Sequence, residues 1–140
     1  MTDNYFSLTH PERLRCQMYR YYSGLSRLYI SVSKSNASIP AFFLLFSDVA
    51  YVEIPVNWQS AAFRIAPHTE CVDLLLATGV IGPAVLQFPD AYAAITDNAQ
   101  LFVVDPPRIK DPNQPNPQQR PVRIVAGNAV LLPDLPGDLR

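Results

Sequence analysis

Apolar positions along the chain recur with two periods. Leu28, Ile30 and Val32 alternate with Tyr29, Ser31 and Ser33, which predicts a half-buried strand. Positions 41–46 are continuously apolar, a run of strand length that implies burial on both faces or at an interface. Positions 49–56 and 58–65 predict two further strands, and Pro55 demotes the end of the first to an edge or a bulge. Trp58, Phe63 and Ile65 are candidate core residues of the second. Short strands are expected at 84–88 and 101–104, joined as a hairpin with a long loop. Positions 122–126 and 129–132 flank Gly127-Asn128, a turn pair that predicts a tight hairpin.

The helical period shows in two places. Leu14, Met18, Tyr21, Tyr22 and Leu25 share one helical face. Thr9 and Glu12 have capping-box spacing, Pro11 suits a first turn, and Gly24 is a stop, so a helix is expected over 10–23. A second is expected over 67–79, with Thr69 as N-cap, Glu70 and Asp73 at its positive end, an inward stripe of Val72, Leu75 and Leu76, and Gly79 closing it. Two helices and about seven short strands, mostly consecutive, predict an α+β fold. Its sheet is mostly antiparallel, and the helices pack on one face or end.

Length adds a limit: 140 residues make one domain. Within it, 105–121 holds six prolines in seventeen residues and reads as an extended loop. Positions 133–140 read as a flexible tail. With no apolar run of membrane-spanning length, no basic-then-apolar leader and two cysteines, the chain reads as cytoplasmic, without a membrane partner, with Cys16 and Cys71 as free thiols.

Net charge is -1, unevenly spread. Residues 1–47 carry five basic residues and two acids, residues 48–105 seven acids and one arginine, and residues 106–140 five basic residues and three acids. No basic stripe is visible in the sequence, so nucleic acid is not an expected partner. The segments do suit contact between copies, acidic middle to basic ends.

Candidate chemistry is sparse. His68, Glu70, Cys71 and Asp73 lie within six residues, but a zinc site needs ligands from more than one turn, so no metal is expected. His68 beside Cys71 lacks an orienting third group for a nucleophile. Asp48 and Glu53 fall on opposite faces of a regular strand. Arg13 and Arg20 read as the solvated side of the first helix, and Pro112–Pro115 spacing is a bare proline motif. No glycine loop or nucleophile elbow is present, so neither cofactor nor catalysis is expected.

Aromatic residues make up 11% of the chain against 16% charged. Surplus aromatics under thin charge suit an interface centre. The expected function is association without catalysis, as a homodimer or with another protein, through Tyr19, Tyr22, Phe42 and Phe43. The alternative is a ligand-binding or catalytic pocket between the second helix and the sheet, lined by Trp58, Arg64, His68 and Cys71.

Overall fold

The computed structural model describes residues 4–34, 37–105 and 121–135. Nine strands appear among them: β1 (Leu14–Tyr22), β2 (Arg27–Lys34), β3 (Phe42–Ser47), β4 (Tyr51–Glu53), β5 (Asn57–Gln59), β6 (Arg64–Ile65), β7 (Gln100–Val104), β8 (Val122–Ala126) and β9 (Asn128–Leu132). They form two antiparallel sheets, one of five strands in the order β5-β1-β2-β3-β9 and one of four in the order β4-β8-β7-β6. The fold is therefore mostly antiparallel β in two sheets, not two helices packed on a single sheet.

The largest correction falls on 10–23. Only a single turn, Pro11–Arg13, is helical there, and the capping box does not form: His10, not Thr9, precedes the turn, in a left-handed conformation. From Leu14 the chain is a strand paired on both sides, with β2 and β5. The helical spacing has a β explanation. Leu14, Cys16 and Met18 face the other sheet, opposite Lys34, Val32 and Ile30; a bulge between Met18 and Arg20 then shifts the parity, so Tyr21 faces inward opposite Leu28. A bulged strand thus places 14, 18 and 21 on one side, as a helix does, and two neighbouring strands satisfy the backbone.

Other boundaries shift for similar reasons. The expected strands 49–56 and 58–65 shorten to β4, β5 and β6 and divide between the sheets. The expected strand 84–88 is a helical turn, Pro83–Gln87, followed by helix α2 (Pro89–Asn98), so no hairpin joins it to β7. The Gly127 hairpin is absent too: β8 lies inside the four-stranded sheet while β9 edges the five-stranded one. The chain turns a corner between sheets at one residue. The proline-rich loop and the tail lie outside the described residues, except Asp105, Pro121 and 133–135.

The main core lies between the sheets. Leu28, Ile30, Val32, Leu44 and Phe46 from one meet Phe102, Val104, Val122 and Ile124 from the other. Phe46 is its hub, with ring centroids 5.4 Å from Phe63, 5.3 Å from Phe102 and 6.1 Å from Phe6. Such edge-on contacts add about 0.5–1.5 kcal/mol each to the burial itself. Phe6 is held there by the 4–8 segment, where Tyr5 N–H donates to Phe63 O at 2.7 Å.

A second layer covers the outer face of the four-stranded sheet. Helix α1 (His68–Ala77) buries Cys71, Leu74 and Leu75 on Leu101, Val103 and Val125. This is the second expected helix, though Pro67 rather than Thr69 occupies its cap. Gly79 at φ 77 ends it, as expected. Among the described residues, no helix is long and apolar enough to cross a membrane.

Two changes test this account. Phe46→Ala should cost about 3–5 kcal/mol in urea unfolding, because it empties the hub between the sheets. Gly127→Ala should cost about 1–3 kcal/mol: the new methyl would sit 3.0 Å from the Asn98 carbonyl oxygen and 3.1 Å from Asp48 Cβ, and the first of these is backbone.

Candidate functional site

Residues 58–73 do not assemble as one site. Trp58 belongs to the five-stranded sheet, where its Nε1–H donates to Ser60 O at 3.0 Å and its ring packs on the inter-sheet core. His68 is exposed at the start of α1, and Cys71 is buried beneath that helix. Of the four residues expected to line a pocket between the second helix and the sheet, Arg64 lines the described cleft there.

The cleft it lines is about 450 Å³, between α1 and the four-stranded sheet, with Glu70, Asp73, Asp105 and Arg123 around it. Strand register builds its polar floor. Glu53 stands opposite Arg123, Arg123 opposite Val103, and Val103 opposite Arg64, one row across the sheet. Arg123 Nη2 donates to both Glu53 oxygens at 2.7 and 2.9 Å, and Tyr51 donates its hydroxyl proton to Glu53 Oε1 at 2.7 Å. Arg64 grips Asp105 with two parallel bonds of 2.7 and 3.0 Å. These cross-strand pairs were invisible in sequence, where Glu53 and Arg123 lie 70 positions apart.

The row is built of ion pairs. Both arginines are occupied by carboxylates, and among the described residues no group of His, Cys, Asp and Glu is placed to hold a metal ion. The Arg64 guanidinium holds the Asp105 carboxyl below its usual range, and hydrogen bonding to Glu53 raises the Tyr51 hydroxyl. Burial raises both thiols, Cys16 to about 12. A thiol so buried is a packing group, and Cys71 lacks the depressed value that a nucleophile needs.

The aromatic residues expected at an interface are partly spent on internal packing. Tyr19, Tyr22 and Phe43 share the outer face of the five-stranded sheet. Tyr19 lies 5.4 Å from Phe43, Tyr22 lies 5.9 Å from Tyr29, and Leu135 covers Phe43 and Tyr29. Phe42 points the other way, toward the inter-sheet core.

What remains open is an edge. Of the four edge strands among the described residues, three are short: β4 and β5 have three residues each, and β6 has two, whereas all four lie within two residues of a proline, β9 directly before Pro133. β4 and β6 also carry charge, in Glu53 and Arg64. The fourth, β9, has five residues, Asn-Ala-Val-Leu-Leu, with neither charge nor proline. Val130 and Leu131, on opposite faces of it, are each 38% exposed. Proteins normally protect such an edge with charge, proline or a cover.

The buried thiols should not react with Ellman's reagent at about pH 8 in the native protein, and both should react once it is unfolded in guanidinium. Asp105 gives a pH test. Its carboxyl is depressed on folding, so its ion pair stabilises the protein above the ordinary carboxylate range and is lost as pH falls through the lower folded value. Below about pH 4, the unfolding temperature of the wild type should therefore fall more steeply than that of Asp105→Asn. Side-chain exposure of 55% at Asp105 keeps the difference small. Compared with known proteins, the chain matches no family model, no curated protein and no solved structure.

Proposed function

We propose that this protein works by self-association, pairing β9 of one copy with β9 of a second to join two five-stranded sheets. The observation that carries the reading is the contrast in length among the described edges: β9 has five residues, none charged, where the others have two or three. An antiparallel strand is its own complement, so the contact is a closed two-fold one. It puts Val130 and Leu132 of the two copies together on one face and Leu131 on the other. A net charge of -1 opposes this little.

Five paired residues are a modest contact, so a dissociation constant on the order of micromolar is expected. Light scattering across a concentration series should show two chains per particle. Val130→Lys and Leu131→Lys, each adding a charge beside the open edge, should give folded monomers at concentrations where the wild type pairs. Hydrogen exchange on the unmodified protein supplies an arm without a variant: alternate β9 amides should gain protection as concentration rises. A wild type that stays monomeric at about 100 micromolar, a hundredfold above that expectation, or lysine variants that still pair, sinks the reading.

A further inference from the structure

The bulge in β1 has a second effect, on the outer face of the five-stranded sheet. Ahead of the bulge the outward residues are Arg15 and Gln17; after it they are Arg20 and Tyr22. The bulged Tyr19 faces outward as well, onto Phe43. Arg27 stands opposite Tyr22 on β2, and Asn57 and Gln59 of β5 stand opposite Gln17 and Arg15. All three arginines are exposed, as are Gln17, Asn57 and Gln59. Across the registers of all five strands, no outward position is an acid.

Two details go beyond net charge. The Arg20 guanidinium donates to the Tyr22 hydroxyl at 3.0 Å and lies 5.9 Å over the Tyr19 ring, so cation and aromatic faces are layered. Tyr19 is 40% exposed. Beside this layer, a cavity of about 140 Å³ is lined by Arg15, Gln17, Ser31, Ser33 and Asn57 among others, with no carboxylate among the described residues of its wall. Hydrogen-bond donors and one guanidinium therefore surround a recess of a size for a small anionic group.

We infer that this face, from β5 across β1 to β2, binds single-stranded nucleic acid, with Arg15, Arg20 and Arg27 on phosphates and Tyr19 and Tyr22 as stacking surfaces. An extended polyanion suits three arginines set along a strand pair, and sequence-tolerant stacking suits the exposed Tyr19 ring beside them, with half-buried Tyr22 at its flank. An acidic protein segment would use the arginines and leave the ring faces idle. The surface is separate from β9, at the other side of the sheet, so this inference does not depend on self-association.

The test is fluorescence anisotropy with labelled oligothymidylate and oligouridylate of about twelve nucleotides, and polyglutamate of similar length as the rival. Binding is expected at about 50 mM salt, weakening on a logarithmic plot with a slope of about −2, as counterions leave three neutralised phosphates. Tyr19→Ala should weaken it about tenfold with the slope unchanged. Arg20→Gln and Arg27→Gln, both at exposed sites, should each flatten the slope. Leu131→Lys, whose side chain lies on the opposite face of the sheet from the arginines, should bind per chain like the wild type, which keeps a failure here distinct from a failure of edge pairing. Absence of binding to either oligonucleotide overturns the inference. Equal binding to polyglutamate with no loss in Tyr19→Ala overturns it too, and assigns the face to an acidic protein segment.

Discussion

The structure depends on apolar contact between two sheets that are joined only by short crossings. Neither sheet is thick enough to bury its own side chains, and the four-stranded one includes strands of two and three residues. Phe46 holds the two together because it reaches Phe63 and Phe102 from the opposite side. The N-terminal segment completes the cluster by inserting Phe6, with Tyr5 beside it at 5.0 Å. At 140 residues much surface stays exposed after folding, so filling one seam with large rings contributes heavily to stability. The rows of ions on the outer face add geometry more than energy, since exposed pairs are worth at most about 1 kcal/mol.

That seam also divides the molecule by chemistry. On the helix side, four carboxylates from three segments surround two arginines, and two of them, Glu53 and Asp105, pair with those arginines. On the other side the outward positions carry arginine, tyrosine and amide groups. The uneven charge along the chain thus becomes a difference between two faces. The early strands supply one and the middle of the chain supplies the other.

Local alternation was legible as a strand at 28–33, although Tyr29 and Ser31 are buried there as well as Leu28, Ile30 and Val32, so the strand is not half-buried, and it was legible where a helix has a clear apolar stripe, as in 68–77. It failed at 10–23 because a bulged strand and a helix place Leu14, Met18 and Tyr21 alike, and nothing local distinguishes them. It failed at Gly127 because a corner between sheets and a hairpin need the same flexible residue. The site was less legible still. Arg64 was singled out, but its partner Asp105 and the Glu53–Arg123 pair join through strand pairing between distant segments. Trp58, His68 and Cys71 were close in sequence and were separated by the fold, because the chain changes sheet between β5 and β6. The arginines of β1 looked like one solvated helix side, and only a strand with a bulge gathers them with the tyrosines.

The corner at Gly127 bears on how the chain reaches this state. β1, β2 and β3 pair with sequence neighbours and can zip as a meander while the rest is still unfolded. β8 cannot: it must reach β4 and β7 at once, and residues 105–121 separate it from β7 in the sequence. β9 follows one residue later and completes the other sheet. A single segment of 122–132 therefore closes both layers, and during synthesis neither layer is finished until that segment has left the ribosome. Until then β3 shows an apolar edge of its own, Phe-Phe-Leu-Leu-Phe, without its final neighbour. Folding speed and escape from aggregation should accordingly be governed by docking of that segment more than by the helix or the early hairpin.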